Sequence, residues 1–296
     1  MLRMRGIYPA MITPLTPDGE AIQFSALGPV CERLLGEGVD GLFIGGTTGS
    51  GPLLTAAEKL ALLRETRQIV GSRCQVILQG ACGEWPETLR VLREAPGTGA
   101  DAISLLQPWY YPCDDEAQYA YFAAAAEAMT GFPLFLYNIP RMSGNDLGQE
   151  TVMRLADRYG NICGMKESGS EEHLKNRLSL QQEAFQVVCG IDTLVAPVFL
   201  DGCEATVASF GNVIAPALCE IRDACQAGDH KRALVRQEFV NQVVEALDGP
   251  LLLARIMAVY RLRGIDPGHL RLPLRELNPA EQETLKESLL RLGLLE

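Results

Sequence analysis

The sequence predicts an α/β fold, a closed (β/α)8 TIM barrel followed by a C-terminal helical extension, on three observations. Eight short apolar runs recur before residue 210, longer amphipathic segments separate them, and no strand-like run follows residue 212. Eight such alternations suit a closed barrel better than an open doubly wound sheet, which usually needs fewer strands and carries a glycine-rich nucleotide loop at its switch point. No G-x-G-x-x-G occurs in the chain. Its 296 residues also fit, since such barrels commonly run to about 250 residues as one unit.

In chain order the runs are GIYPAMI at 6–12, GLFIG at 41–45, CQVILQG at 74–80, AISLL at 102–106, FPLFLYN at 132–138, ICGMK at 162–166, FQVVCG at 185–190 and EATVAS at 204–209. They are continuously apolar rather than alternating, as expected of strands covered on both faces. The helical segments between them carry start and stop signals. TAAEKLALLRETRQIVG opens with Thr55 and Glu58 in the spacing of a capping box and stops at Gly71. Beyond residue 212, LCEIRDACQAGDHKRALVRQEFVNQVVEAL and later Leu-rich stretches read as helices, the first closing the barrel and the rest packing against it. The expected division is a catalytic barrel at 1–225 and a helical extension at 226–296, with no Pro-, Gly- or Ser-rich linker between them.

With 47% hydrophobic and 21% charged residues, the chain has the balance of a soluble globular protein. Thirty-seven acidic against twenty-six basic residues give a net charge of −11, which repels polyanions and speaks against a nucleic-acid partner. No apolar run reaches the roughly 20 residues of a membrane helix, and MLRMRGIYPA lacks a secretory signal, so the cytoplasm is the expected compartment. Nine cysteines lie singly, without a C-x-x-C spacing or a histidine pair, and read as reduced core thiols rather than metal ligands.

The candidate chemistry centres on Lys166, one of five lysines, at the end of ICGMK. The carboxyl end of the sixth barrel strand is the rim where barrel enzymes place their reacting groups. Desolvation there favours a neutral amine, which can attack a carbonyl and form a Schiff base. The alternative is a structural ion pair with Glu167 or another carboxylate. Cys163, nearby, reads as strand packing. Tyr137 ends the preceding strand, which a barrel sets beside the sixth, so its phenol either relays protons or packs. The loop FIGGTTGSGPLLT offers the Thr47 and Thr48 hydroxyls and free backbone amides to a small carboxylate, or is simply a turn.

With AMITPLTPDGEAI near its start, then GGTTGSGP, QPWYYP, LYNIPRMSG, GMKESG and finally LPL, the whole chain resembles the pyruvate-dependent class I aldolase and lyase family. That family includes dihydrodipicolinate synthase, N-acetylneuraminate lyase and 2-keto-3-deoxygluconate aldolase. The resemblance implies that Lys166 forms the Schiff base, Tyr137 relays protons, and Thr47 and Thr48 hold the pyruvate carboxylate. It implies that Tyr110, or the adjacent Tyr111, is lent to a neighbouring subunit, and that Val207, Gly190 and Asp192 line the pyruvate pocket. It further implies a homodimer or homotetramer acting on pyruvate and a small aldehyde or 2-oxo acid. No metal or other cofactor is implied, because an iminium does the polarising that a cation does elsewhere.

Two departures bear on the substrate. GTTGSGP resembles the GTTG-x-GP variant of 2-keto-3-deoxygluconate aldolases. Dihydrodipicolinate synthases carry an arginine two residues after the YNxP proline, where this chain has Met142, with Arg141 one place earlier. The expectation is that Met142 faces the aldehyde, that Arg141 points to solvent or a neighbouring subunit, and that the substrate is a 2-keto-3-deoxy sugar acid. Condensation of pyruvate with aspartate semialdehyde is the alternative. A non-catalytic pyruvate or sugar-acid sensor is the third reading, and the intact lysine and tyrosine argue against it.

Overall fold

The computed structural model describes residues 2–295. Its eight strands are β1 (Gly6–Pro9), β2 (Gly41–Ile44), β3 (Gln75–Gln79), β4 (Ala102–Leu106), β5 (Leu134–Asn138), β6 (Ile162–Glu167), β7 (Gln186–Cys189) and β8 (Ala205–Ala208). They are parallel, in the order β1-β8-β7-β6-β5-β4-β3-β2. A parallel bridge between Ala10 and Phe43, with the Met11 N–H donating to the Phe43 carbonyl at 2.9 Å, brings the two outer strands together. Each strand falls inside one of the eight apolar runs, and every strand residue but Gln75 is buried.

The helices are α1 (Phe24–Gly36), α2 (Ala56–Val70), α3 (Trp85–Thr98), α4 (Asp115–Ala128), α5 (Pro140–Ser143), α6 (Gln149–Arg158), α7 (Glu171–Leu178), α8 (Val195–Leu200), α9 (Gly211–Gln226), α10 (His230–Leu247), α11 (Leu252–Leu262) and α12 (Pro279–Arg291). The capping box of α2 is formed: the Thr55 hydroxyl accepts from the Glu58 N–H, and the Glu58 carboxylate accepts from the Thr55 N–H. Gly71 ends that helix at φ 57°, a backbone shape that glycine adopts without cost. Helix α9 is kinked at Ile214, two residues before Pro216. Pro216 has no N–H for the Asn212 carbonyl and its ring crowds that turn. The orphaned carbonyl accepts from Arg33 instead, at 2.9 Å.

The C-terminal helices reach over the carboxyl ends of the strands, which goes beyond the packing role expected of them. Buried Gln237 of α10 accepts from the Ala196 N–H at 2.7 Å and donates to the Asp192 carbonyl at 3.0 Å. Arg271 joins the segment after α11 to the loop after β2. It donates to the Glu58 carboxylate at 2.6 Å and to the Leu53 carbonyl at 2.7 Å. Among the described residues no helix is long and apolar enough to cross a membrane, and all nine cysteines are free thiols. Burial pushes the Cys163 thiol up to about 12, which fits its reading as inert packing.

Candidate active site

Lys166 and Tyr137 are register partners across β6 and β5, so the barrel sets them side by side. Both are buried. The Lys166 ammonium lies 3.8 Å from the centre of the Tyr137 ring and 5.4 Å from that of Phe43. Strand alternation turns the next residue the other way. Glu167 faces outward, where Asn138 donates to both its oxygens at 3.0 and 3.1 Å and the Gly169 N–H donates at 2.7 Å. Arg177 stands 3.7 Å from it. The ion pair between Lys166 and Glu167 is therefore not made; Glu167 is fully engaged elsewhere, and the amine is left facing the barrel's mouth.

The Tyr137 hydroxyl lies 3.3 Å from the Thr47 hydroxyl. Burial pushes the phenol up, but the neighbouring Lys166 charge and the Thr47 hydroxyl outweigh it and hold the group below its ordinary value. Thr48 turns away from this pair, its hydroxyl 2.8 Å from that of Ser209. The two adjacent threonines thus serve different neighbours. Within the loop, the Ser50 N–H bonds the Thr47 carbonyl and the Gly51 N–H bonds the Gly46 carbonyl, whereas the amides of Thr47, Thr48 and Gly49 have no acceptor among the described residues. Gly51 is obligatory here: a Cβ on it would lie 1.8 Å from the Gly45 carbonyl oxygen.

These groups open into a cavity of about 830 Å³. Gly190 lines it, and a Cβ there would sit 1.9 Å from the Ser168 hydroxyl oxygen. Ser168, buried and without a hydrogen-bond partner among the described residues, faces the same space. The Asp192 carboxylate accepts from the Phe210 and Ser209 N–H groups at 3.0 and 3.2 Å. Burial pushes its carboxyl up to about 6, against the pull of those amides and of Lys166.

Two expectations change. Val207 does not line the cavity. Its register partner is Tyr8, whose ring fills the barrel interior above Gly41 and whose hydroxyl reaches Gln75 at the amino-terminal end of β3. Val207 is buried within the strand, and Ser209 and Phe210, just past it, line the wall. Arg141 does not merely point to solvent. The single turn α5 carries both Arg141 and Met142 at the mouth, and both line the cavity.

Tyr110 and Tyr111 lie outside this cavity and project from the surface, with Tyr110 84% exposed. Tyr110 holds φ 77°, an uncommon conformation for a bulky residue. The loop is fixed rather than loose, since Asn145 donates to the Pro108 and Tyr111 carbonyls, each at 2.9 Å, and the Tyr110 N–H donates to the Ser143 carbonyl. Sequence reasoning missed Phe43, Ser168, Ser209 and the outer wall of Val244, Pro250 and Leu253. Phe43, Ser168 and Ser209 stand at or just beyond strand ends, a signal that was available; the outer wall gave none.

The family model described as Dihydrodipicolinate synthetase family matches residues 3–291. The 4-hydroxy-tetrahydrodipicolinate synthase of Symbiobacterium thermophilum is 34% identical over 289 residues, 97% of either chain. The solved 4-hydroxy-tetrahydrodipicolinate synthase of Methylacidiphilum fumariolicum has a TM-score of 0.89 at 28% identity, covering 98% of this chain and 96% of its own. A variant of the Sulfolobus solfataricus 2-keto-3-deoxygluconate aldolase, in complex with L-2-keto, 3-deoxy-galactonate, has a TM-score of 0.89 at 25% identity, covering 97% and 96%.

Proposed function

The chain belongs to the dihydrodipicolinate synthetase family of class I aldolases and lyases, and from that premise we propose that it reversibly cleaves a 2-keto-3-deoxy sugar acid to pyruvate and a neutral, hydroxylated aldehyde. The observation that carries the Schiff-base chemistry is the buried contact of Lys166 with Tyr137, whose hydroxyl adjoins Thr47 at the head of one cavity, and the choice of a neutral aldehyde rests on Asp192 and Met142 in that cavity's wall.

The Lys166 amine adds to the C2 carbonyl, and loss of water gives an iminium. The iminium draws electrons from the C3–C4 bond, the C4 hydroxyl gives up its proton, and the aldehyde leaves behind an enamine. Protonation at C3 and hydrolysis then free pyruvate and the amine. Tyr137, poised below its ordinary value, passes these protons in concert with Thr47. The unpaired amides at 47–49 and the Thr48 hydroxyl hold the carboxylate. Asp192, Ser168 and Ser209 offer hydrogen-bonding partners to an aldehyde's hydroxyls, and the Asp192 charge disfavours an aldehyde bearing its own carboxylate.

Arg141 supports a second reading, because a guanidinium at the mouth suits the carboxylate of aspartate semialdehyde, the chemistry of a 4-hydroxy-tetrahydrodipicolinate synthase. The two are separated by comparing kcat/KM for cleavage of 2-keto-3-deoxygluconate with that for condensation of pyruvate and aspartate semialdehyde. Faster cleavage supports the first; efficient condensation that Arg141→Ala abolishes establishes the second. The fixed, projecting Tyr110 supports its role in a neighbouring subunit, and so a homodimer or homotetramer.

A further inference from the structure

Lys59 closes the first turn of α2 and is wholly buried. Lysine is almost never so without an acidic partner. Here the ammonium donates only to neutral oxygens: the Gly45 carbonyl at 3.2 Å, the Gln79 carbonyl at 3.1 Å and the Gln79 side-chain oxygen at 2.7 Å. Three donors thus meet three acceptors, and no carboxylate answers the charge. The Gly45 carbonyl is wedged between Lys59 and Gly51, at the start of the loop that carries Thr47 and Thr48.

We propose that Lys59 is a positioning residue for the substrate's carboxylate, fixing the start of the 45–51 loop from beneath and placing an unneutralised positive charge behind its open amides. The inference rests on the Schiff-base reading of the same cavity. A purely structural lysine would have been matched by an acid or replaced by an apolar side chain at little loss. An unmatched charge retains its field, and in a partly dry interior that field reaches the loop with little screening. Burial draws the group down to about 8 against the opposing pull of the Cys82 thiol, its titratable neighbour, so raising the pH removes the charge.

The test compares borohydride trapping of pyruvate with that of methyl pyruvate, which has the same reacting carbonyl but no carboxylate. In Lys59→Met the concentration of pyruvate giving half-maximal trapping on Lys166 should rise roughly tenfold, the scale of one unit charge acting through protein, while that for methyl pyruvate stays nearly constant. Equal weakening of both overturns the proposal, since damage to the fold does not distinguish them. Should Lys59→Met fail to fold, the wild-type protein decides. Its preference for pyruvate over methyl pyruvate should fall as pH rises through about 8, and a flat ratio overturns the proposal. Absence of trapping on Lys166 by either compound in the wild type overturns the Schiff-base reading itself, and this inference with it.

Discussion

At Tyr137 one oxygen atom separates packing from chemistry. The ring is already held by Phe43, edge to face at 6.1 Å, so Tyr137→Phe should keep the fold and its melting temperature. Turnover should nevertheless fall about 10²-fold or more, the usual worth of a positioned acid–base group; near wild-type turnover would assign Tyr137 to packing alone. Asp192 gives a second prediction. Its carboxyl, raised to about 6, is ionised above that pH and is then the stronger acceptor for a substrate hydroxyl. Cleavage of a hydroxylated 2-oxo acid should therefore decline as pH drops through about 6, and Asp192→Asn should flatten that limb. Lys166 and Tyr137 were legible in the sequence because strand ends of a barrel converge whatever the loops do. Lys59 was not, because a lysine early in an amphipathic helix ordinarily reaches solvent, and only the path of the loop above it shows otherwise.

Among the elements, the 45–51 loop is the least tolerant of change. Gly51→Ala would drive a methyl group into the Gly45 carbonyl. Overpacking of this kind commonly costs about 1–3 kcal/mol, so both thermal stability and pyruvate trapping should fall; an unaltered variant would mean the loop is looser than its geometry implies. The strands were readable because burial on both faces leaves an uninterrupted apolar run. Their limits were less so: the first run continues to residue 12, but past Pro9 the chain turns to bridge Phe43 instead of extending β1. The turn α5 was invisible for a related reason. Four residues show no helical period, yet this turn decides that Arg141 and Met142 share one wall.

For the molecule as a whole, the C-terminal helices supply part of the cavity through Val244, Pro250 and Leu253, which no periodicity announces because they are set by how α10 and α11 dock on the barrel. Buried Lys59 also predicts how global stability depends on pH. The folded chain releases this proton near 8, whereas the unfolded chain keeps it to about 10.4. Between those values the unfolded state binds more protons, so this group makes stability rise with pH, by roughly 3 kcal/mol. Buried thiols such as Cys31, raised to about 12, act in the opposite sense. The measurement is thus the difference in unfolding free energy between wild type and Lys59→Met across that window, and a difference independent of pH would contradict the prediction. The exposed Tyr110 adds an expectation about assembly. Two inactive variants, Tyr110→Phe and Lys166→Ala, should regain activity when unfolded and refolded together, because mixed assemblies pair an intact Lys166 with an intact Tyr110 from the neighbouring chain. No recovery would place Tyr110 outside the reaction.

The central claim is that Lys166 forms the covalent bond to substrate, and its most direct test is to incubate the protein with pyruvate and borohydride, digest it, and locate the added mass. The expected result is a pyruvate-derived adduct on the peptide carrying Lys166, absent from Lys166→Ala. An adduct on Lys59 or Lys175 instead, or no adduct at all, would contradict the account.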